Sequence, residues 1–465
     1  MPAVIFNFAR NALASALLLV PLAAMANQSA PAPTEPRSAH FSEWAKDSSA
    51  ATLQRKPGAV SEAEIRALMS SALLQAVERS PQLRQSAAEQ KASQADIQEA
   101  QGQRLPQIDL GANTRAQSIG GNDSRRSNNE AVNLNMTTNV FDWGRTSNTI
   151  DSRKSLSDAA DQAYLVSLET LAEDVSLNLI ELEKSRRIST ISQQYVDRMG
   201  ALVEMLKEIV AADRGRVSEL TQARARLLEA RANMDNAQAR VRDTEIRLRK
   251  LIGDTPVNLP DNENWALATS DLDRLVSESH DHPAVRQADA RAKASEQHAK
   301  SLRAGEKPQL NWVVNKSTGR DDLGREQPWQ TTLNVNWPVF RGGSATAARE
   351  AAYARADAER ERKAQQQLDL EYETRTADQD ARTLLDRADS YRQLTRETDD
   401  VRKAFFDQWY HLGRRTLLDV LIAESDYNNN RVSEVSARFD SYQSVVKSYA
   451  SAGRLLQWIK GPNNS

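Results

Sequence analysis

Two long segments without a helix breaker meet at the stretch Trp409-Tyr410-His411-Leu412-Gly413-Arg414-Arg415-Thr416-Leu417-Leu418-Asp419-Val420-Leu421. Neither Gly nor Pro occurs from Ser344 to Gln408 before it, or from Thr416 to Ala452 after it. As helices rising ~1.5 Å per residue, these segments would be roughly 95 Å and 55 Å long. We therefore predict a long helical hairpin whose turn contains Gly413.

A similar hairpin pattern occurs earlier in the chain. A long helical segment ends near Ala211, Gly215 lies in a break, and a second segment runs from Val217 to Ile252. Large and small residues recur in this second segment at heptad spacing, as in a knobs-into-holes seam. The large positions are Leu220, Leu227, Met234, Val241 and Leu248, and three places after each come Ala223, Ala230, Ala237, Thr244 and Leu251. The segment from Leu418 to Tyr449 has a comparable 3-4 spacing, so both are predicted to pack along another helix.

Landmarks in the first half recur in the second half at a constant displacement. Pro81, Lys91 and Pro106 are followed 202 positions later by Pro283, Lys293 and Pro308. We predict an internal duplication, with a first repeat over residues 61–262 and a second over 263–465. Each repeat should contain a helix, two strands, a very long helix, a turn and another long helix. The predicted fold class is mainly α with a small β part.

Each repeat contains two short segments with the periodicity of a β-strand. They are predicted at residues 107–116, 131–140, 309–316 and 330–340. Apolar and amide side chains alternate from Val132 to Val140 with period two, which is a strand pattern. About nine residues is also the length of a strand that crosses a membrane. A half-buried hairpin of a soluble protein gives the same alternation, so periodicity alone leaves both interpretations open.

The number of predicted strands limits how they could cross a membrane. Four strands cannot close a barrel, which needs about eight or more, and open strand edges are not tolerated in lipid. Two chains would supply eight strands and three would supply twelve, and amide-rich inner faces favour the wider, water-filled barrel. If the strands cross a membrane, we expect a homo-oligomer whose helices leave the barrel together on one side.

The first residues predict export. An apolar run follows Arg10, and Ala24-Met25-Ala26 fits a signal-peptidase site, so we expect a cleaved signal peptide over residues 1–26. Residues 27–60, rich in Ala, Ser, Pro and Thr, are predicted to be a flexible extension. No other window reaches about 18 apolar residues, so we expect no membrane-spanning helix. The sequence contains no cysteine, which excludes disulfides, thiol chemistry and an N-terminal lipid anchor.

The sequence shows no constellation of residues typical of an enzyme. The net charge of −2 gives no reason to expect nucleic acid as a partner. His280-Asp281-His282 has the composition of a metal-site fragment, but it precedes Pro283 in a linker-like stretch, and we interpret it as structural. The motifs of phosphate-binding loops, serine hydrolases and zinc proteases do not occur. We expect no enzymatic activity, no cofactor and no metal.

The stretch from Tyr410 to Asn429 resembles a known family. Its pattern Tyr-x-x-Gly-x-Arg-Thr, followed by two aliphatic residues and Asp-Val-Leu-x-Ala, is very similar to a run in the TolC-type outer-membrane channel proteins, a family of efflux and type I secretion channels. There it lies at the periplasmic end of the second helical hairpin. With the duplication, the resemblance covers the chain from about Ser61. It implies a homotrimer with one twelve-strand β-barrel in the outer membrane of a Gram-negative cell, joined to a twelve-helix α-barrel in the periplasm.

The resemblance also implies that Tyr410, Arg415 and Asp419 form a periplasmic aperture. Three symmetry copies of Asp419 around a narrow axis would favour cations, and contacts of Tyr410 and Arg415 between helices would hold the aperture closed. From spacing alone, the preferred interpretation of Arg415 and Asp419 is an i,i+4 surface pair contributing ~0.3–0.5 kcal/mol.

The sequence departs from the family pattern at two places near this aperture. Ile422 stands where a second Asp is expected, and Leu220-Thr221 stands where a Thr-Asp pair is expected. Glu219 or Asp213 could take the place of the missing carboxylate. The resemblance further implies that a periplasmic membrane-fusion (adaptor) protein docks on the two turns. The expected docking residues are Gly215, Arg216, Val217, Leu412, Gly413 and Arg414.

The resemblance therefore implies an outer-membrane exit duct that works with a periplasmic adaptor and an inner-membrane ABC or other translocase. Type I protein secretion is the favoured role, because many efflux-dedicated relatives carry a lipidation cysteine and this sequence has none. The outer-membrane component of a multidrug efflux pump is the first alternative. A periplasmic coiled-coil adaptor or structural stalk is an alternative of another class, which would share the helices but not the strands.

Overall fold

The structure, a computed structural model, describes residues 58–113, 131–255, 257–260, 262, 264–268, 271–319 and 325–461. The predicted signal peptide, residues 27–57 of the predicted extension and residues 114–116 of the first predicted strand lie outside the described residues. The described part is mainly helical with one small sheet, as the sequence predicts.

The elements alternate between helices and strand pairs in an order that occurs twice. They are α1 Glu62–Arg79, α2 Pro81–Gly102, β1 Gln107–Asn113, β2 Ala131–Phe141, α3 Arg145–Ala212, α4 Val217–Ile252, α5 Leu272–Ser279, α6 Pro283–Gly305, β3 Gln309–Ser317, β4 Gln330–Asn336, α7 Ser344–Tyr410, α8 Leu417–Ser451 and α9 Leu455–Lys460. The two longest helices, α3 and α7, have 68 and 67 residues, which corresponds to about 100 Å each. None of the described helices combines the length and the apolarity needed to cross a membrane.

The four strands form one antiparallel sheet in the order β1-β2-β3-β4. Residues that lie opposite each other in an antiparallel pair share a face, so the register separates two faces. Most side chains of one face are apolar, and we call it the apolar face: Ile108, Leu110, Leu134, Met136, Trp312, Val314, Leu333 and Val335. Amides predominate on the other, which we call the amide face: Asn133, Asn135, Asn139, Asn311, Asn315, Asn334 and Asn336. Val313 on the amide face and Lys316 on the apolar face depart from this division.

The fourth strand is shorter than the sequence predicts. It ends at Asn336, whereas alternation of residue types predicts a strand to residue 340. Asn336 lies opposite Gln309, the first residue of β3, so Trp337 has no strand residue opposite it. Pro338 then follows, and a proline cannot donate a ladder hydrogen bond. The apolar residues that continue the alternation therefore belong to the connection into α7.

The connections from strand to long helix have the same backbone conformation in both halves. Trp143 and Gly144 have φ of 58° and 83°, and Gly342 and Gly343 have the same two values before α7. A positive φ is strained for a residue with a side chain and costs about 1–2 kcal/mol. In the first half Trp143 tolerates it where its indole Nε1 donates to the carbonyl of Pro308 at 2.7 Å. The repeated geometry supports the predicted duplication.

Helix α3 is the element against which most other helices of the chain pack. It contacts α2 and α6 near the sheet, α4 along its second half, and α8. The heptad seam of α4 faces it, and the buried positions include Leu220, Ala223, Leu227, Ala230, Ala237, Thr244 and Leu248. In α8 the seam is predicted to start at Leu418, but the buried face starts one residue earlier. Leu417 is buried, whereas Leu418 is 49% exposed.

The extension predicted to be flexible up to residue 60 is ordered at its end, which corrects that prediction. Val60 is buried and forms a parallel bridge with Trp265, receiving a hydrogen bond from the backbone N–H of Ala266 and donating one to the carbonyl of Asn264. Trp265 in turn stacks on Tyr442 at 5.6 Å and meets Phe439 edge-on. An apolar side chain beside this aromatic cluster fixes the chain two residues before α1.

The last helix, α9, is absent from the sequence-based prediction and closes the chain onto α1. The indole Nε1 of Trp458 donates to Glu62 at 2.7 Å, and the Arg66 guanidinium lies 5.2 Å from the same ring. The ring of Tyr449, in α8, stacks on the same Trp458 ring. A six-residue helix is too short to show a periodic pattern, so periodicity could not predict it.

Candidate functional site

The two helical turns of the chain meet in one hydrophobic core, which we call the turn core. It consists of Tyr195, Met199, Leu202, Val203, Leu206, Leu220, Ala223, Leu227, Ala230, Trp409, Leu417, Val420 and Leu421. These residues come from α3 and α4 of the first half and from α7 and α8 of the second. The two hairpins therefore end at the same place, and the turns that follow them in sequence are neighbours in space.

The second turn is built by one glycine and one capping box. Gly413 has φ of 61°, a left-handed conformation that favours glycine. Thr416 then starts α8: its hydroxyl accepts from the backbone N–H of Asp419, and the Asp419 carboxylate accepts from the Thr416 backbone N–H at 3.1 Å and hydroxyl at 2.9 Å. A reciprocal cap of this kind fixes the entry of the helix, so Asp419 has a local structural role.

Of the predicted aperture residues, Arg415 points back along α7. Its guanidinium lies 4.1 Å from the Phe405 ring centroid, and its Nε donates to Gln408 at 3.2 Å. Across the described residues no ion pair joins Arg415 to Asp419, so the structure does not contain the i,i+4 pair that spacing alone favours. The bonds from Thr416 lower the pKa of Asp419 below its usual value, and the charge of Arg415 acts in the same direction. Asp419 is therefore a surface anion at neutral pH.

Tyr410, the last residue of α7, belongs to an aromatic ladder on that helix. Its ring stacks on Phe406 at 5.8 Å and meets His411 edge-on at 4.8 Å, and its side chain is 48% exposed. The ladder continues into the buried indole of Trp409, 5.9 Å from Phe406. The exposed half of Tyr410 is thus held by neighbouring rings and remains available to another molecule or another copy of the chain.

The first turn reaches across to the second through one arginine. Asp213 accepts from the backbone N–H of Gly215 at 2.9 Å, which shapes the 3-10 turn Arg214–Arg216. Arg216 forms a two-point ion pair with Glu219, and its guanidinium lies 5.3 Å from the Trp409 ring. Asp213 and Glu219, the two carboxylates that could replace the missing aperture acid, are therefore both engaged inside their own turn.

The residues predicted to dock an adaptor form the outer surface of the two turns. Val217 and Leu412 are 49% and 58% exposed, although both are apolar. Gly215, Gly413 and Arg414 are exposed beside them, and Arg216 is partly covered by its contact with Trp409. The structure brings all six residues to the end of the molecule where the two helical turns lie. Apolar and basic side chains lie side by side there.

One ionic cluster beside the turn core is not predicted from the sequence, and we call it the hairpin link. Glu424 of α8 is buried, and its two oxygens accept from Arg198 Nε of α3 and Arg402 Nη1 of α7, each at 2.9 Å. Tyr427 packs beneath both guanidinium groups, at 5.3 Å from Arg198 and 5.0 Å from Arg402. The hairpin link joins the first hairpin to the second, so it holds the two turns in their relative positions.

The His280-Asp281-His282 stretch has a structural role at the start of α6. His282 is buried and caps that helix, its Nδ1 accepting from the backbone N–H of Ala284 at 3.0 Å. Burial lowers the pKa of His282 below its usual value, although a bond to the backbone of Ala450 opposes this. Among the described residues no group of His, Cys, Asp and Glu side chains has the arrangement of a metal site.

A family of known proteins and several solved structures are similar to this chain. A family described as outer membrane efflux protein matches residues 72–254 and 277–454, well over half of the chain and in two segments. No curated protein sequence matches the chain. The family match and the four-stranded sheet together exclude the alternative that the chain is a periplasmic coiled-coil adaptor or structural stalk.

Solved structures with the same fold include three outer-membrane proteins. The outer-membrane channel OprN is 20% identical, with a TM-score of 0.75, over 84% of this chain and 91% of that chain. The outer membrane protein VceC of Vibrio cholerae is 17% identical, with a TM-score of 0.73, over 83% of this chain and 96% of its own. The CmeC outer membrane channel of Campylobacter jejuni is 14% identical, with a TM-score of 0.72, over 92% and 94%. At these identities the likeness shows the fold.

Proposed function

This chain belongs to the outer membrane efflux protein family, and from that premise we propose that it forms the outer-membrane exit duct of a tripartite export system. The sheet would lie in the outer membrane and the helices in the periplasm. The two predicted repeats, residues 61–262 and 263–465, would each supply one strand pair and one helical hairpin. The duct is passive, and energy comes from its inner-membrane partner.

The observation that carries this proposal is the division of the sheet into an apolar face and an amide face. Leu110 and Leu333 on the apolar face are 71% and 65% exposed within the chain. An apolar surface of this extent on a soluble monomer is unusual and marks contact with lipid or protein. Lipid contact on one face and water on the other fits a barrel strand. Lys316 of the apolar face bonds the carbonyl of Gln327 at 2.7 Å, near the strand ends away from the helices, where a lysine can reach the headgroups.

The edges of the sheet support assembly from several copies. Within the described part of the chain, β1 pairs only with β2 and β4 pairs only with β3. Unpaired edges carry a high cost in lipid, so β4 of one copy is expected to pair with β1 of the next. Three copies would close a twelve-strand barrel with room for a channel. We therefore propose a homotrimer, in which the helices below the sheet form a twelve-helix α-barrel.

At the other end of the duct we propose an aperture formed by Tyr410, Arg415 and Asp419. Three copies of Asp419 around the axis would form a ring of negative charge, and the bonds from Thr416 that lower the pKa of Asp419 favour its ionised form. Tyr410 is half-exposed and would contact the neighbouring copy. The hairpin link would keep the turns of one copy together, so that opening requires its bonds to change.

The outer surface of the turns is proposed to dock a periplasmic membrane-fusion (adaptor) protein. Val217 and Leu412 offer exposed apolar side chains, and Arg414 offers charge at the rim. A small apolar centre with a polar rim is the usual composition of a protein interface. The adaptor would connect the duct to an inner-membrane ABC or other translocase.

Two cargo classes are candidates for this duct. Type I protein secretion is the role favoured by the sequence reasoning and stays a prediction. Efflux of small molecules is the second candidate, and the description of the family, outer membrane efflux protein, favours it. Complementation separates them: a strain lacking the gene would lose either export of a polypeptide or resistance to toxic compounds, and the gene in trans would restore that one phenotype.

The absence of cysteine from the sequence allows a direct test of the proposed membrane orientation. Leu134 and Asn135 are adjacent in β2 and project from opposite faces of the sheet. In intact outer membranes we expect a water-soluble, membrane-impermeant maleimide to label Asn135→Cys and to leave Leu134→Cys unlabelled. The pair is matched in depth, so a difference in labelling reports the face alone.

Two outcomes would contradict the proposal. Equal labelling of both variants in intact membranes would show that the apolar face is not covered by lipid. Recovery of the protein in the soluble fraction without detergent would show that it is not a membrane protein. Denaturing both variants before labelling is the control, because each cysteine should then react fully.

A further inference from the structure

A large cavity lies where the sheet joins the helices, on the side of the amide face. Its volume is about 1130 Å³, and its walls come from α3, α6, the ends of the strands and α7. Asn139, Gln309 and Asn336 line it, and all three belong to the amide face of the sheet. The cavity is therefore continuous with the side of the sheet that the proposed function assigns to water.

The charged residues that line this cavity are nearly all positive. Four arginines, Arg145, Arg153, Arg341 and Arg355, face one carboxylate, that of Glu306. Glu306 is already bound, since its Oε2 accepts from Arg349 at 2.6 Å. The wall of the cavity thus carries an excess of positive charge, although the whole chain has a net charge of −2.

The arginines have few partners to neutralise them. Arg145 donates to the neutral side chain of Gln309 at 3.3 Å. Arg153 is 3.9 Å from Asp96, and both side chains are about half exposed, so that pair is screened by water. Neither Arg341 nor Arg355 has a carboxylate partner among the residues for which the structure gives positions.

Another acidic residue near the cavity is engaged elsewhere. The Asp142 carboxylate accepts from the backbone N–H groups of Gly144 and Thr146, from the Thr146 hydroxyl and from Asn139. These bonds place its charge at the N-terminus of α3, where the helix dipole attracts an anion. Asp142 does not line the cavity.

From this placement we propose that Arg145, Arg153, Arg341 and Arg355 form a binding belt for anionic groups inside the duct, just below the barrel. The ligand class is small organic anions bearing carboxylate, sulfonate or phosphate groups. Arginine suits this role because its planar fork binds such groups with two parallel hydrogen bonds. This inference rests on the proposed function, since the cavity becomes part of a passage only in the assembled duct.

The belt would give the duct two charged zones of opposite sign. In a trimer each arginine occurs three times around the axis, and the proposed Asp419 ring lies at the far end of the helices. Rings of basic side chains favour anions in a pore, and rings of acidic side chains favour cations. An anionic solute that has passed the aperture would be attracted onward to the belt.

The test compares ion selectivity in planar lipid bilayers under a KCl gradient. The variant carries Arg145→Gln, Arg341→Gln and Arg355→Gln, three exposed positions where loss of charge leaves the fold intact. An ion ~8 Å from one charge in water gains close to RT, which before screening by salt is roughly a 2.4-fold preference. We therefore expect the ratio of chloride to potassium permeability to fall at least about two-fold. Citrate added from the barrel side should reduce the wild-type current and have less effect on the variant.

The matched control is Arg303→Gln. Arg303 is an exposed arginine of α6, next to the cavity-lining Leu302, but does not itself line the cavity. It should leave the permeability ratio unchanged. Pores of normal conductance with the same ratio and the same citrate response in the triple variant would overturn the belt while leaving the duct in place. An equal shift in the Arg303 variant would also overturn it, whereas a wild type that forms no pore would overturn the proposed function and the belt together.

Discussion

Replacing Glu424 with glutamine should loosen the connection between the two hairpins. The buried carboxylate accepts from Arg198 and Arg402 at 2.9 Å each. A hydrogen bond to a charged group contributes about 1.5–3 kcal/mol, roughly twice a neutral one. Glutamine keeps one oxygen acceptor and loses the charge, and the arginine side chains are 25% and 20% exposed, which reduces the loss. We expect the interaction between the two hairpins to weaken by about 2 kcal/mol, which is about a thirty-fold change in the equilibrium between joined and separated hairpins.

Single-channel recording measures this change as the fraction of time spent in a high-conductance state. Glu424→Gln should raise that fraction above the wild-type value. The matched control is Glu434→Gln, on the same helix, because Glu434 also binds two arginines, Arg392 at 3.0 Å and Arg438 at 3.3 Å. Those partners lie on α7 and α8, within the second hairpin.

The two variants should therefore lose comparable stability and differ in conductance. Thermal unfolding followed by circular dichroism gives the stability of each. If Glu434→Gln raised the high-conductance fraction as much as Glu424→Gln, general destabilisation would explain the effect. If Glu424→Gln left both conductance and stability unchanged, the hairpin link would not hold the turns together.

Two further predictions concern the stability of the helical part. Burial raises the pKa of Glu169 to about 8, although a hydrogen bond from the backbone of Leu456 opposes this shift. The unfolded state has a pKa near 4.5 for this group. Between these two values the folded state keeps a proton that the unfolded state releases. The free energy of unfolding should therefore fall by up to about 5 kcal/mol as pH rises from about 4.5 to about 8. Glu169→Gln should remove most of this pH dependence, measured by denaturant titrations at pH 5 and pH 9. An unchanged pH dependence in that variant would contradict the assignment. Gly413→Ala should cost about 1 kcal/mol because φ is 61°, whereas Gly200→Ala, inside α3 with open space around it, should gain up to about 1 kcal/mol; thermal unfolding that shows the same sign for both would refute the argument from φ.

Periodic patterns in the sequence were enough to predict the long helices and the buried seam of α4. Leu220, Ala223, Leu227 and Ala230 recur at heptad spacing and lie in the turn core. The absence of Gly and Pro over long segments predicted helices of the observed length, since nothing else interrupts a helix so reliably. The position of Gly413 predicted the turn, where its φ is positive.

The packing that depends on distant parts of the chain was not predictable. Arg198 and Glu424 are far apart in sequence, and no spacing rule relates them. Val60 is ordered because it meets Trp265, again across a long sequence separation. The burial of Leu417 in place of Leu418 depends on the angle at which α8 leaves its cap at Thr416, which the period alone leaves open.

The candidate site divides in the same way. The family resemblance assigned Tyr410, Arg415 and Asp419 to one aperture, which stays a prediction. In the structure Tyr410 ends α7, and Asp419 lies in the first turn of α8. Their local partners, Phe406, Phe405 and Thr416, came only with the structure. Arg415 precedes Thr416, the N-cap of α8, and so lies outside the helix. The i,i+4 geometry of a helix therefore does not apply to Arg415 and Asp419, and spacing alone could not show where α8 begins.

If this chain forms a duct with an acidic aperture at the turns, the purified protein should conduct ions across planar lipid bilayers. We expect discrete current steps with a preference for potassium over chloride, reduced in Asp419→Asn. In that variant the amide can still accept from Thr416, so the cap is largely kept and the charge is removed. The absence of discrete steps under any voltage or salt condition would contradict the duct. Discrete steps with an unchanged cation preference in Asp419→Asn would contradict the aperture.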